Sequence, residues 1–372
     1  MQTSHIIGIL IVTILIVITA ISFIFLQKAE LSPSNSQLVE CNTLSYENEN
    51  AINLVLFSDK KTSENYENQF FQISPLKENR DKFNFYYISE YLPECKLYKD
   101  IAVFCYSKEL LKKASSCPND FIIVPNSDYS QLTRSSSYMN VLSINTKHQP
   151  SVLHHEFGHA FANLAEEYTP AKIPKGSENC VLSCEDFNNL NEGCFQSCSQ
   201  SNYYRSVDSG IMKTLSSDTY GNFNSLLISE KISSITGSLN YPAITTKAIS
   251  KEDECKNNFY VLLTLSPDFE VTKKEIISGC ITGTGSGNLE YSIISSNTEN
   301  KISQDFDLTI FTDAQLESEF ELTGEVYEDD SEFYLPVPII ENSQTLKIKD
   351  KTTAQELYSI ELNGLDSRPC RK

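Results

Sequence analysis

The chain changes its hydrophobic rhythm three times. Residues Ile6 to Leu26 form one uncharged apolar run. As a helix it would be roughly 31 Å long, close to the hydrocarbon thickness of a bilayer. A polar stretch rich in Ser, Asn and Glu follows over residues 27–50 and reads as a stalk. Short apolar runs come next at Ala51–Phe57, Phe83–Ile88, Phe121–Val124 and Tyr138–Ile144. They are rich in β-branched and aromatic residues and predict strands. Lys108–Ala114 predicts a short helix among them. Strands alternating with helical stretches imply layered α/β structure.

From Val152 the period lengthens. Leu153, Phe157, Ala160, Phe161 and Leu164 recur at steps of three and four, the mark of an amphipathic helix with one buried face. Pro150 and Ser151 supply its start, and Pro170 and Pro174 forbid much continuation beyond Tyr168. Residues 176–204 are loop-like and cysteine-rich, and Asn224–Ser234 predicts another helix. Beyond residue 240 the texture turns to short alternating runs at Phe259–Leu265, Leu289–Ser295, Phe306–Phe311, Phe333–Val337 and Leu346–Ile348, separated by turn residues such as Gly283–Gly287. That is the pattern of a β-sandwich. The expected organisation is α+β: a transmembrane segment at 6–26, a stalk at 27–50, an α/β-layered domain at 51–238 and an all-β domain at 239–372.

Charge narrows the partners. Across 372 residues, 49 acidic side chains face 30 basic ones, a net charge of −19. Without a basic patch the chain is no candidate for nucleic acid or for adhesion to an anionic bilayer surface. The start Met1–His5 lacks Lys and Arg, and no small-residue cleavage site follows Leu26, so an uncleaved anchor is expected rather than a signal peptide. Lys28 is the only basic residue near either end of the run, so charge asymmetry hardly orients it. Cysteine does. All 11 cysteines lie between Cys41 and Cys370, a density that belongs to an oxidising compartment. The expectation is a single-pass membrane protein with its body outside the cytoplasm. The twin pattern Cys180-x3-Cys184 and Cys194-x3-Cys198 suggests two disulfides clipping paired helical turns, with a structural zinc as the alternative.

The chemistry concentrates at His155-Glu156-Phe157-Gly158-His159. Histidines four apart on a helix project from one face and can offer two imidazole nitrogens to one ion. Neutral imidazole suits zinc, whose bound water becomes acidic near neutral pH, and Glu156 is placed to take its proton as general base. Three of the chain's five histidines fall within six residues, and His154, about 100° round the helix, reads as a supporting residue rather than a ligand. A third ligand requires the helix to turn, because a continued helix climbs away from the ion. Asn163 can adopt the left-handed conformation that ends helices. Glu166 or Glu167 can then fold back to the metal. Counting three residues from the turn, as in extended zinc-peptidase motifs, favours Glu166 and leaves Glu167 as the alternative.

The stretch His155–Tyr168 resembles the bacterial IgA-specific metallopeptidase family, which reads His-Glu-x-Gly-His and then Leu-x-Asp-Glu-Tyr. The chain departs in having Glu166 where the family has Asp, and Ala162-Asn163 at the turn. Ala51–Asp59, Asn119–Asn126, Tyr204-Arg205 and Ser209–Met212 are similar to further family segments. The resemblance covers about residues 50–235. It implies a zincin-like domain in which Met212 packs beneath the zinc and Tyr204 or Arg205 stabilises an oxyanion. It also implies that the strand near Tyr138–Ile144 pairs with extended substrate. The function expected is zinc-dependent hydrolysis of peptide bonds in a protein or peptide substrate. The alternatives are a non-catalytic surface adhesin and a zinc amidase acting on cell-wall amides.

Overall fold

The computed structural model describes residues 38–187, 193–237, 255–256, 258–295, 301–314, 323–328, 331–339 and 343–362. The N-terminal half is built from β1 (Asn42–Ser45), β2 (Ile52–Phe57), α1 (Lys60–Phe70), β3 (Phe83–Ile88), β4 (Lys96–Tyr98), β5 (Ala102–Phe104), α2 (Lys108–Ala114), β6 (Phe121–Asn126), β7 (Ser135–Tyr138), β8 (Val141–Asn145) and α3 (Val152–Ala162). There follow β9 (Phe195–Cys198), β10 (Gln200–Arg205), α4 (Asn222–Gly237), β11 (Phe259–Leu265), β12 (Val271–Ser278), β13 (Leu289–Ser295), β14 (Lys301–Phe306), β15 (Thr309–Ala314), β16 (Thr323–Glu328), β17 (Phe333–Pro338), β18 (Ser343–Asp350) and β19 (Glu356–Glu361).

The central element is an eight-stranded mixed sheet in the order β1-β3-β2-β6-β8-β7-β15-β16. Strands β3, β2, β6 and β8 run parallel, and β7, β15 and β16 continue the sheet antiparallel. One face buries Leu54, Phe85, Ile123 and Leu142 against α1, α3 and α4. The other buries Val55, Tyr86, Ile122 and Val141 in one core with α2 and the strands beyond residue 258. Parallel central strands buried on both faces read as unbroken apolar runs, which is why β2, β3 and β6 are visible in the sequence.

Two helices start on side-chain caps, Asp59 accepting from Thr62 N–H and Ser107 from Leu110 N–H. Helix α3 has no such cap, and the Ser151 hydroxyl donates instead to Leu215 O. Its stability comes from burial. Val152 through Phe161 are all buried, so the helix is enclosed on every side rather than on one face. Phe157 stacks on Phe161 and meets Phe70 edge-on, each at 4.8 Å between ring centroids.

The structure corrects several expectations. The fold is mostly β, with four α-helices against nineteen strands among the described residues, and is not an α+β domain followed by a separate sandwich. Strands β15 and β16 leave the C-terminal part and join the central sheet. Periodicity reveals a strand but not the sheet it joins, and so the error arose. The single strand expected at Tyr138–Ile144 is the β7–β8 hairpin, reversed at Met139 in the left-handed region, φ 52°. The strand expected at Phe306–Phe311 is split between β14 and β15. Part of the expected stalk belongs to the body: β1 pairs with β3, and Cys41 is bonded to Cys117. Gly283 and Gly285, expected in a turn between strands, lie against the backbones of Asp120 and Met139, where a Cβ has no room.

The expectation of a single-pass membrane protein is also withdrawn. Among the described residues no helix is long and apolar enough to cross a membrane, and the run 6–26 lies outside them. Five disulfides join Cys41–Cys117, Cys95–Cys105, Cys180–Cys198, Cys184–Cys194 and Cys255–Cys280, which fits an extracytoplasmic, oxidising setting. The twin cysteine pattern is thus nested disulfides. They join a 3₁₀ turn and β9 with its flanks, not paired helical turns.

Candidate metal centre

Helix α3 presents His155 and His159 on one face, with their Nε2 atoms 3.0 Å apart. Each ring is aimed by a backbone carbonyl. His155 Nδ1 lies 2.9 Å from Ile211 O, and His159 Nδ1 lies 2.6 Å from Leu164 O. A carbonyl can only accept, so each Nδ1 carries the proton and each Nε2 of a neutral ring turns a lone pair inward. Such fixing of the far nitrogen is the usual orientation device of metal-binding histidine.

The helix ends at Asn163, φ 52° and ψ 36°, in the left-handed conformation expected there. Asn163 N–H returns to His159 O and Leu164 N–H to Gly158 O. The reversed chain is clamped by Asn179, whose side chain accepts from Ala165 N–H at 2.7 Å and donates to Ala165 O at 3.0 Å. The neighbouring Cys180–Cys198 disulfide packs on Ala165. This clamp places Glu166 against the histidines, with Oε1 3.0 Å from His159 Nε2 and Oε2 3.3 Å from His155 Nε2.

Glu167 points elsewhere. It accepts from Asn224 Nδ2 at 2.7 Å and Asn179 Nδ2 at 3.3 Å, and its N–H donates to Met212 O. Met212 is fully buried, and its sulfur lies 2.8 Å from where a Cβ on Gly158 would stand. Gly158 therefore lets the Met212 segment approach α3, which in turn brings Ile211 O to His155. Tyr204 is held through its backbone to Val181, and no described contact brings its hydroxyl to the histidines. The Arg205 guanidinium donates to Gln196 O, Ser197 O and Asp208, which ties a loop rather than meeting an oxyanion. His154 donates between Gln69 O and Phe70 O, at 3.1 and 3.2 Å, and burial pushes its pKa down to about 4.

A fourth donor comes from β15. Asp313 Oδ2 stands 3.4 Å from His155 Nε2 and 3.7 Å from His159 Nε2. Its other oxygen accepts from the Tyr168 hydroxyl at 2.8 Å. His155, His159, Glu166 and Asp313 are all buried, and their donor atoms lie within 4.8 Å of one another. Nothing in the sequence pointed to Asp313, which lies 145 residues beyond Tyr168. Tyr168 could have been suspected, as the last residue of the motif segment.

The set fits a metal ion. Two inward lone pairs 3.0 Å apart repel one another unless a positive charge, a metal ion or a proton, lies between them. Both Glu156 oxygens are buried without a hydrogen-bond partner among the described residues, and both Glu166 oxygens and Asp313 Oδ2 face only the two histidine Nε2 atoms. Buried carboxylates left so are costly unless paired or ligating. Without a metal the same carboxylates favour protonated rings. Burial alone would push the histidines down, but the Glu166 and Asp313 charges outweigh it, raising His155 well above its ordinary value and His159 to about 9. Burial opposes ionisation of Asp313, yet the two histidines hold its carboxyl far below the usual range. Burial, and then the Asp313 charge, push Glu156 well above it. A cleft of about 630 Å³ at the C-terminal ends of β2, β3, β6 and β8 is lined by Asp59, Tyr66 and His148, among others, and by none of the four donors. No family model matches the chain, and no curated protein matches it.

Proposed function

We propose that the chain is a zinc-dependent peptidase with Glu156 as its general base. The observation that carries this reading is the pair of Nε2 atoms 3.0 Å apart, facing Glu166, on the helix that also holds the buried, unpartnered Glu156. Imidazole and carboxylate donors in a compact set suit zinc. The likeness of His155–Tyr168 to the IgA-specific metallopeptidases supports the same reading, without fixing the substrate.

His155, His159 and Glu166 would hold the ion. Zinc, when bound, supplies a Lewis acid that brings a water's pKa toward neutrality. Glu156 then takes the proton of the attacking water and passes it to the leaving amine nitrogen. The carbonyls of Ile211 and Leu164 keep both Nε2 lone pairs inward throughout, and the Asn179 clamp keeps Glu166 in place.

A structural metal site is the second reading, favoured by the presence of four protein donors rather than three. The test is zinc content and cleavage of a mixed peptide library by the chain and its Glu156→Gln variant, each with and without Asp313→Ala. The peptidase reading expects zinc in all four forms and cleavage only where Glu156 is present. Zinc in every form with no cleavage in any would favour the structural site, or an amidase or adhesin built on it.

A further inference from the structure

We infer that the chain is latent, its β15–β16 hairpin lying in its own substrate groove with Asp313 in the metal position that catalysis needs open. The inference rests on the metallopeptidase reading. Three independent contacts of one strand carry it.

The first is backbone. Strand β7 lies beside α3 and, without β15, would be the edge on which an extended peptide adds by strand pairing. That edge is taken by β15, antiparallel, in the register Phe311↔Ser137 and Asp313↔Ser135. The second is a side chain over the metal ligands. The Phe311 ring stacks on His159, 3.9 Å between centroids and 12° from parallel. The third is Asp313 itself, whose Oδ2 faces both Nε2 atoms. A catalytic zinc usually keeps three protein ligands and an open place for water, whereas four protein ligands close it. His155, His159 and Glu166 already make three from the motif segment, and Asp313 is the one donor supplied by another part of the chain.

The hairpin is built around that contact. Gly324 lies opposite Asp313 in β16, and a Cβ there would run into Asp313 Oδ1, Thr312 O and the Tyr168 hydroxyl. Elsewhere the hairpin is tied to the N-terminal half by partly exposed polar contacts, Arg134 with Thr312 and Glu325, and Lys172 with Glu328. Such pairs contribute little. The β7 pairing and the Phe311 stacking hold β15 in place, and the Asp313 contact is the part of that grip that reaches the metal ligands, so its loss should weaken the hold of the hairpin on the groove.

The test compares the full chain with Asp313→Ala, which removes the carboxylate, and with Gly324→Val, which keeps it but drives a side chain against Asp313 Oδ1 and the Tyr168 hydroxyl and so displaces it from the histidines. The readouts are zinc content and calorimetric binding of a short peptide hydroxamate, a metal-seeking substrate mimic, neither of which requires turnover. Latency predicts that all three hold zinc, and that both variants bind the hydroxamate roughly tenfold or more tighter than the unaltered chain, because the competent fraction rises. Equal binding by all three overturns the inference and leaves the peptidase reading intact. So does loss of zinc from Asp313→Ala, which would make Asp313 a resident ligand. Tighter binding with no peptide cleaved would support the closed groove and count only against the peptidase reading.

Discussion

The Tyr168 hydroxyl donates to Asp313 Oδ1 at 2.8 Å, joining the last residue of the motif segment to a strand of the C-terminal part. Burial, and the charges of Asp313 and Glu166, keep that hydroxyl protonated and therefore a donor. Tyr168→Phe would leave a buried carboxylate oxygen without its partner. The expected cost is about 1–3 kcal/mol, read as a lower urea midpoint at unchanged slope. Under the latency argument the same variant should bind the hydroxamate more tightly than the unaltered chain. A variant as stable as the unaltered chain would mean the bond carries little.

Glu166 and Glu167 should separate cleanly. Glu166→Ala removes a donor facing both histidines and should lower metal content sharply with a small change in folding. Glu167→Ala leaves the Asn179 and Asn224 amides without their acceptor. It should cost about 1–3 kcal/mol of stability. The metal should still bind. Metal analysis and thermal unfolding of both variants check this, and the reverse pattern would exchange their roles.

Gly158→Ala should destabilise despite Ala being the better helix former. A Cβ meets the Met212 sulfur at 2.8 Å and the Tyr220 ring at 3.2 Å. Relieving that overlap should cost about 1–3 kcal/mol against roughly 1 kcal/mol gained in propensity. Moving the Met212 segment also moves Ile211 O away from His155, so metal affinity should fall with stability. A thermal midpoint above that of the unaltered chain would show that Met212 yields freely.

His154 makes the metal-free protein acid-sensitive. Its pKa is about 4 folded against an ordinary 6.5, so between these values the unfolded chain binds a proton that the folded one does not. Stability therefore falls as pH drops from 6.5 toward 4, by about 3 kcal/mol over the full window. His148, also lowered by burial, adds to the same slope. Urea midpoints of the chelated chain and of His154→Gln, taken across that range, should draw together as pH falls. Parallel curves would mean that His154 is already protonated when folded.

The sequence by itself determined the local features. Strands β2, β3 and β6 show because central parallel strands are apolar throughout. The α3 motif shows because histidines four apart share a helix face, and the turn at Asn163 shows because few residues accept positive φ. Each of these is settled by neighbours a few positions away. Only the tertiary structure decided what lies beyond that reach. It folded Glu166 rather than Glu167 inward through the Asn179 clamp, and gave the Gly283–Gly287 segment a backbone to lie on. It also drew β15 out of the C-terminal strands onto β7, setting Asp313 beside His155 and His159. Strand alternation marks a face to bury but carries no record of the partner strand, so a ligand delivered by sheet pairing across some 150 residues becomes visible only when the sheet is assembled.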